Sequence, residues 1–360
     1  MMSLIIGIGV ALIVVILYLI FRIGNLVSLV KDEKAATQSR NRTHAFLLMA
    51  FMILSLIAFY YWSYVHFDEY VLPVASEHGA ITDHLFWITM AICVIAFTLI
   101  FIVMFWFTYA YQYEEGRKAA FFADNHKLEI LWTLIPAVVM ALLIFRGLRA
   151  WTDITGPASK EAEVIELVAQ QFAWTARYPG KDTELGRIDF RLIDASNEFG
   201  LDLTDEKSYD DFKSQTLHLP AGKEVLLKIR AKDVLHSVFL PHFRVKMDAV
   251  PGMQTQFKFK PMKTTAQMRE ETGNPNFNYE MACTEICGKG HFSMRFPVVV
   301  EDEETYNKWK TAQEAWLKQN PDYYDKYVPK DKKESALIKS GMSPDNGSLR
   351  QVELKTVSVN

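Results

Sequence analysis

Four long apolar runs in the first 150 residues constrain the fold more than any other feature of the sequence. They are Met2–Phe21, Ala45–Val65, Leu85–Tyr113 and the stretch between Glu129 and Arg146. A helix that spans a membrane needs about 20 mostly apolar residues. Three runs meet that length plainly, and the fourth reaches it if its charged ends snorkel to the interface. The sequence therefore predicts four transmembrane helices.

The first apolar run also has to be compared with a cleaved signal peptide. Such a peptide carries positive charge before its apolar stretch. No basic residue precedes the run here, whereas Arg22 follows it. We therefore expect a retained helix.

The charges between the runs predict the orientation of the chain. The first and third loops are basic, whereas the second loop, from Asp68 to Asp83, has neither lysine nor arginine. Basic loops stay on the cytoplasmic side. The N-terminus and everything after about residue 150 are therefore expected outside. This predicts a multi-pass protein of the cell inner (plasma) membrane with its C-terminal head on the periplasmic, outer face.

Composition excludes several classes of protein. Half of the residues are apolar, but they concentrate in the first part of the chain, which excludes a single soluble domain. The net charge of −3 lacks the basic bias of nucleic-acid binders, so no nucleic-acid partner is expected. Three cysteines are too few for a disulfide-dense scaffold.

The second part of the chain reads as an antiparallel β-sandwich or barrel followed by a helix. Short β-branched and aromatic stretches alternate with turn residues, as is typical of such folds. The stretches are Glu163–Tyr178, Glu224–Ile229, Val234–Val245, Gln254–Phe259, Asn278–Ala282 and Met294–Val300. Apolar spacing predicts a helix over Glu303–Lys318. The polar tail from Pro321 is expected to be extended or poorly ordered unless a partner holds it.

These observations divide the chain into four expected parts. An N-terminal helix pair occupies residues 1–67 and a helix hairpin occupies residues 83–150. The β-rich head occupies residues 151–302, and a C-terminal helix with a polar tail occupies residues 303–360.

One cluster in the head carries the chemistry. Cys283, Cys287, His291 and Met294 follow a C-x3-C-x3-H-x2-M spacing. Thiolate, imidazole and thioether together are the soft ligand set that selects copper, whereas a methionine argues against zinc. A binuclear site needs a further imidazole, and His236 at the start of a strand-like stretch is the candidate.

A disulfide is the alternative for the two clustered cysteines, because such pairs often oxidise outside the cytoplasm. The histidine and methionine at fixed offsets favour a metal site instead. Cys93 lies in the middle of an apolar run and reads as a small apolar residue.

Several motifs together resemble subunit II of cytochrome c oxidase. They are the cysteine cluster with Asp233–Ser237, Met247–Gly252, Glu129–Ala137 and Gln171–Trp174. The resemblance covers roughly residues 83–318, and its motifs occur in the family's order. It implies a cupredoxin-like head with a binuclear copper A centre, which here follows the four transmembrane helices predicted from the apolar runs.

The resemblance also implies the roles of individual residues. Cys283 and Cys287 would bridge two copper ions, and His236, His291 and Met294 would complete their coordination. Glu285 matches the residue that gives a backbone carbonyl to copper and whose carboxylate faces a magnesium ion at the interface with subunit I.

Three further residues are assigned through the resemblance. Glu129 matches a glutamate that helps admit protons to a channel in subunit I, although a carboxylate at a helix N-terminus is the simpler interpretation. Phe172 stands where many relatives have the tryptophan at which electrons enter. Trp174 is a second candidate for that role, and sandwich core is its simpler interpretation.

The implied function is that of a relay subunit in a proton-pumping terminal oxidase. It would take electrons from cytochrome c or a similar external donor and pass them to haem in subunit I, where oxygen becomes water. Subunits I and III and the lipid membrane are the expected partners. A quinol oxidase subunit II with a structural head is the alternative. Two further alternatives are less consistent with the sequence. A nitrous oxide reductase would share the copper A spacing but lacks the transmembrane helix hairpin. A protein that delivers copper to an oxidase would need a more open site.

The extra N-terminal helix pair departs from the family, whose usual subunit II has only the two-helix hairpin.

Overall fold

A computed structural model describes residues 2–31 and 33–343 of the chain. The chain divides into two compact units, which are described separately. The first consists of Met1–Val71 with Phe86–Ala141, and the second of Leu72–Leu85 with Leu142–Asn360.

The N-terminal part of the chain is helical. Its elements are α1 (Met2–Lys31), α2 (Glu33–Val65), α3 (Phe67–Tyr70), α4 (Glu77–Ala110) and α5 (His126–Thr155). Among the described residues, three helical stretches are long and apolar enough to cross a membrane: Ala35–Val65, Glu77–Ala110 and His126–Thr155. Helix α1 carries a shorter apolar stretch, Ala11–Val27. The predicted helical anchor is confirmed, with three such spans where four were expected.

Aromatic side chains join α2 to α4 in the first unit. The rings of Phe51 and Phe105 lie 5.8 Å apart, and those of Phe59 and Phe97 lie 5.9 Å apart. Most other apolar side chains of these helices remain exposed, and Leu54, for example, is 66% exposed. Exposed apolar surface over such lengths is what a lipid environment accommodates.

The head is a sandwich of two five-stranded sheets. Its strands are β1 (Glu163–Gln170), β2 (Ala173–Tyr178), β3 (Phe212–Ser214), β4 (Leu217–Pro220), β5 (Val225–Ala231), β6 (His236–Leu240), β7 (Val245–Ala249), β8 (Thr255–Phe259), β9 (Tyr279–Cys283) and β10 (Arg295–Glu301). One sheet has the order β3-β2-β1-β5-β8 and the other has the order β4-β10-β9-β6-β7.

The sandwich is mixed, so the prediction of a purely antiparallel arrangement is wrong in one respect. Strand β1 pairs parallel with β5, and β10 pairs parallel with β4. Parallel neighbours need a long crossover connection, and both pairs are separated by long stretches of chain. The remaining pairs are antiparallel.

Side chains on β1 alternate between two buried layers. Ile165, Leu167 and Ala169 face the core between the two sheets. Glu166 and Val168 point to the other face of the same sheet and are also buried. This second face is covered by the β2–β3 connection and by the C-terminal part of the chain, whose apolar residues form a separate cluster.

The C-terminal part is helical up to Ser340, so the expectation of an extended tail from Pro321 is wrong for the described residues. After α6 (Thr265–Glu271) in the head come α7 (Glu303–Thr311), α8 (Trp316–Gln319), α9 (Pro321–Tyr327) and α10 (Lys333–Ser340). Tyr324, Val328 and Ala336 are buried in the second cluster. Their packing stabilises helices in a segment whose overall composition is polar. Residues 344–360 lie outside the described part of the chain.

The single helix predicted over Glu303–Lys318 is two helices, α7 and α8. Helix α7 ends at Thr311, and its Trp309 packs against the sandwich core. Trp316 and Leu317 of α8 belong instead to the second cluster. A break between the helices lets the two segments face different cores.

The segment just before and within the start of α4 is held on the head by hydrogen bonds in the second unit. The Ala75 N–H donates to the His242 carbonyl at 2.8 Å, and the Ser76 hydroxyl donates to the Phe243 carbonyl at 2.6 Å. Arg244 donates from Nε and Nη2 to the two carboxylate oxygens of Asp83, at 2.7 and 2.9 Å. Both side chains of this bidentate pair are partly buried.

Replacing Asp83 by asparagine is expected to lower the free energy of unfolding of the head by about 1 kcal/mol. The amide offers one acceptor oxygen to a guanidinium that needs two, and partial exposure limits the loss. Denaturant unfolding of the full chain in detergent measures the change. Asp153→Asn is the matched control, because the carboxylate of Asp153 is 75% exposed and lies 3.6 Å from Lys258. Equal unfolding midpoints for the two variants would contradict the role given to Asp83.

Candidate metal centre

Two neighbouring strands of the second sheet bring the candidate ligands together. His236 is the first residue of β6 and Cys283 is the last residue of β9. These strands pair antiparallel, with Val238 opposite Cys283, so the two ligand positions lie at the same end of the sheet. The chain between β9 and β10 supplies the other candidates, and a 3₁₀ turn over His291–Ser293 places His291 just before Met294.

The sulfur and nitrogen atoms of this cluster converge. Candidate ligand atoms of His236, Cys283 and Cys287 all lie within 4.8 Å of one another. The Cys283 Sγ is 3.8 Å from His236 Nδ1 and 4.0 Å from Cys287 Sγ. The Cys287 Sγ is 3.5 Å from His291 Nδ1 and 3.8 Å from the Met294 sulfur. The structure thus brings together all five soft donors that the sequence predicted.

Glu285 contributes its backbone to the same cluster. Its carbonyl oxygen accepts a hydrogen bond from the Cys283 thiol, with the sulfur 3.2 Å away. The residue itself is exposed, so its acidic side chain is accessible from the surface. This arrangement offers a carbonyl donor on the inside and an acidic group on the outside.

Most of the donors are buried. His236 is fully buried, and Met294 is 1% exposed. Burial and the neighbouring Cys283 thiol raise the pKa of Cys287 to about 11. Cys287 is therefore a protonated thiol at neutral pH without a metal, and a metal would have to displace its proton.

The donor set fits copper. Two thiols, two imidazoles, a thioether and a carbonyl combine the soft ligands that copper prefers. The two cysteines are free thiols, and their 4.0 Å separation is about twice the length of a disulfide bond. The two sulfurs are therefore not bonded to each other, and both are available as metal ligands.

Asp233 orients His236 from the side opposite the thiols. Its carboxylate oxygen Oδ1 lies 2.9 Å from His236 Nε2, which leaves Nδ1 directed at Cys283. Its other oxygen accepts the Gln171 N–H at 2.7 Å. Burial alone would raise the pKa of Asp233, but the hydrogen bonds from Gln171, His236 and Val234 outweigh it and lower the pKa. Asp233 is therefore a carboxylate that holds the imidazole in one orientation.

The ligand loop also packs against the first sheet. The Gln171 side-chain amide donates to the Cys287 carbonyl at 2.5 Å. The ring of Phe172 lies so close to Gly290 that a Cβ there would meet it at 2.5 Å. Gly288 has φ of +133°, a conformation that side-chain-bearing residues rarely adopt. Glycine is thus needed at both positions for the loop to approach Phe172.

The two aromatic candidates for the point where electrons enter both lie at the cluster. Phe172 is 40% exposed and covers the ligand loop. Trp174 is 1% exposed, and its ring centre is 6.0 Å from that of His236 in an edge-on arrangement. Trp174 is accordingly part of the sandwich core and also packs against a candidate ligand.

Sequence reasoning missed the contacts of Asp233 and Gln171. The Asp233 side chain is 32% exposed and bonded to His236, whereas that of Asp248, on the neighbouring strand β7, is 54% exposed. The signal was the spacing of three residues between Asp233 and His236 at the start of a strand. Such spacing lets a carboxylate reach back to the ring.

Glu129 belongs to the first compact unit. It is in the first turn of α5, where its carboxylate accepts the Asn125 N–H at 3.2 Å and lies 3.3 Å from His126 Nδ1. Its side chain is 42% exposed. These contacts are those of a carboxylate stabilised at a helix N-terminus.

Comparison with known proteins matches two family descriptions. Residues 164–303 match the periplasmic domain of cytochrome c oxidase subunit II, and residues 60–149 match its transmembrane domain. Helix α1 and most of α2 precede the matched part. The match places the head outside the cytoplasm and the helices before it in a membrane.

Individual relatives agree with the family match. The chain is 36% identical over 250 residues to the alternative cytochrome c oxidase subunit 2 of Bradyrhizobium diazoefficiens, covering 68% of this chain and 84% of the relative. It is 27% identical over 297 residues to cytochrome c oxidase subunit 2 of Thermostichus vulcanus, covering 74% and 85%.

A solved structure of the periplasmic domain of subunit II of cytochrome oxidase from Bradyrhizobium japonicum is also similar. It is 22% identical, covers 42% of this chain and 94% of its own, and gives a TM-score of 0.29. With that low TM-score the assignment depends on the sequence matches. The chain belongs to the cytochrome c oxidase subunit II family, and is a membrane-anchored subunit of an oxidoreductase complex.

Proposed function

We propose that this chain is the electron-accepting subunit of a proton-pumping terminal oxidase. It takes electrons from an external one-electron donor, cytochrome c or a similar protein, and passes them to haem in subunit I, where oxygen is reduced to water. The observation that carries the proposal is the convergence of His236, Cys283 and Cys287 donor atoms within 4.8 Å in a member of this family.

The proposed ligands of a binuclear copper A centre are the six residues of the cluster. Cys283 and Cys287 would hold the copper as thiolates, and His236 and His291 would bind it through the Nδ1 atoms that face the sulfurs. The Met294 sulfur and the Glu285 carbonyl are the weaker donors, and the Glu285 carboxylate is available to magnesium at the subunit I interface. When bound, the copper pair supplies reversible one-electron transfer.

The protein's contribution is to hold these donors still. His236 and Cys283 are fixed by the pairing of β6 with β9, and Asp233 fixes the imidazole. Gln171 and Phe172 hold the ligand loop from the other sheet. A donor set that changes little between oxidation states keeps the reorganisation cost of electron transfer small.

Phe172, as the partly exposed ring against the loop, is the proposed contact for incoming electrons, with Trp174 behind it.

We also infer that the chain lies in the cell inner membrane beside subunits I and III, and that Glu129 helps admit protons to a channel in subunit I. The alternative, a quinol oxidase subunit with a structural head, has no use for a filled set of copper ligands.

Rapid mixing of the oxidase complex with its donor tests the proposal. Reduced cytochrome c is mixed with the oxidised complex, and its oxidation is followed alongside the near-infrared absorption of copper A. Loss of that absorption in step with cytochrome c oxidation, before haem reduction, supports electron acceptance by this chain. Haem reduction by a quinol, with no response in the near infrared, would favour the alternative.

Replacing Asp233 by asparagine is expected to lower copper affinity by about 10- to 100-fold. Partners that orient a metal-bound histidine typically have effects of this size. Copper retained during dialysis against a graded chelator measures the change. Asp248→Asn on the neighbouring strand β7 is the matched control, since Asp248 is exposed and pairs with Lys246 at 3.8 Å. If both variants retain copper equally, Asp233 does not position His236.

A further inference from the structure

A groove with a basic lining lies within the second compact unit, where the start of α4 and the end of α5 meet. Its volume is about 720 Å³. His84 on α4 and Arg146 and Arg149 on α5 provide its basic groups. Ile81 and Leu85 on α4 provide apolar lining beside them. The groove therefore combines positive charge with apolar surface.

The two arginines are available to a ligand. Arg146 and Arg149 are three residues apart on α5, so their side chains leave the helix on the same side. Both are exposed, and the guanidinium group of neither forms an ion pair or hydrogen bond with any residue in the described part of the chain. Asp153, the acidic residue in the lining, lies 3.6 Å from Lys258 of the head. The positive charge of the groove is thus not neutralised by its own acid.

The position of these arginines is unusual for a membrane protein. They lie at the end of α5 from which the head follows, which is the outer end of the span. Arginine and lysine are normally in excess at the cytoplasmic ends of spans. A pair of unneutralised arginines at the outer end therefore calls for a negatively charged partner at the membrane surface.

The chemistry of that partner follows from the groove. A guanidinium presents paired N–H donors that match the oxygens of a phosphate. The apolar side chains of Ile81 and Leu85 suit a hydrocarbon chain. Phosphate joined to hydrocarbon at the level of a helix end is the chemistry of a phospholipid. We propose that this groove binds an anionic phospholipid of the outer leaflet, with its headgroup held by Arg146 and Arg149.

Lipid selectivity of the oxidase complex tests the proposal. The delipidated complex is incubated with micelles of phosphatidylglycerol or of phosphatidylcholine, and native mass spectrometry counts the lipid bound at each concentration. Arg146→Gln with Arg149→Gln is expected to reduce the preference for phosphatidylglycerol by about 25-fold, or about fivefold for each arginine lost near a membrane surface. Arg146→Lys with Arg149→Lys keeps the charge without the paired donors. Its preference for phosphatidylglycerol is expected to lie between those of the wild type and the double glutamine variant.

The matched control removes two arginines from the head, as Arg187→Gln with Arg191→Gln. Both are exposed and lie outside the groove, so this variant is expected to keep the preference. Equal preference in the wild type and the double glutamine variant of the groove would overturn the proposal. So would dissociation of subunit I from that variant with lipid binding unchanged, because the groove would then be a protein interface. Elution volume on gel filtration verifies that the complex is intact.

Discussion

Replacing Cys283 by serine is expected to abolish both copper binding at the head and the oxidation of cytochrome c by the complex. The Cys283 sulfur is the donor nearest to His236 and to the Glu285 carbonyl, and it faces Cys287. Serine keeps the approximate size of the side chain but removes the sulfur that is proposed to bind copper. The loss of copper affinity should exceed the roughly 100-fold that an outer partner of a ligand can cause. Metal analysis and stopped-flow kinetics measure the two losses.

Cys93→Ser is the matched control for this result. Cys93 is a free cysteine on α4, exposed on the surface of the helix, and none of the candidate ligands is near it in sequence. This variant should retain copper and oxidise cytochrome c at the wild-type rate. Circular dichroism of the Cys283 variant should show its strands intact. Unchanged copper content in the Cys283 variant would contradict the proposed centre.

The second large effect is expected from the buried charges on the outer face of the first sheet. Arg177 donates from Nε to Glu166 at 2.6 Å and from Nη1 to Asp211 at 2.7 Å. Arg230 donates to the other oxygen of Glu166 at 2.7 Å. Glu166, Arg177 and Asp211 are at most 2% exposed. Removing one member of such a network leaves buried charge without a partner.

Arg177→Met is therefore expected to lower the free energy of unfolding by about 3–5 kcal/mol. Methionine fills part of the space but leaves Asp211 without its guanidinium partner and Glu166 with Arg230 alone. Denaturant unfolding of the full chain in detergent, followed by tryptophan fluorescence, measures the loss.

Arg187→Met is the control for this prediction. Arg187 also pairs with a carboxylate, that of Asp202 at 2.9 Å, but its side chain is 64% exposed. A pair of this kind contributes about 0–1 kcal/mol. Similar losses of unfolding free energy for the two variants would show that burial does not increase the contribution of the Arg177 network.

The helical anchor, the sandwich and the ligand cluster could be predicted from sequence because each depends on a local pattern. Long apolar runs have few alternatives to a membrane helix. The cysteines, His291 and Met294 lie within one short stretch, so their convergence needs only one loop. His236 could be added because it begins a strand, and strands of a sandwich bring distant ends together.

The second layer of the head could not be predicted, because it depends on contacts between distant and polar segments. The β2–β3 connection and the residues after Pro321 look hydrophilic, yet Leu201 and Ala336 are buried against each other's segments. Glu166 and Arg177 likewise look like solvent-facing positions of strands. Their pairing is visible only once another segment covers that face of the sheet.

The orientation of His236 by Asp233 was hidden for a different reason. An acidic residue near a histidine is common on protein surfaces. Whether such a residue orients the imidazole depends on how exposed its carboxylate is. The Asp233 side chain is held by the Gln171 N–H from a different strand hairpin, and this contact does not follow from the spacing of Asp233 and His236.

Copper stoichiometry combined with electron paramagnetic resonance tests the central claim most directly. The oxidase complex is compared with the same complex carrying Cys283→Ser and Cys287→Ser. The proposal predicts that the wild type holds two more copper ions per chain and shows the seven-line signal of one electron shared between two coppers. Equal copper content in the two complexes, with a Cys283–Cys287 disulfide in the wild type by mass spectrometry, would contradict it.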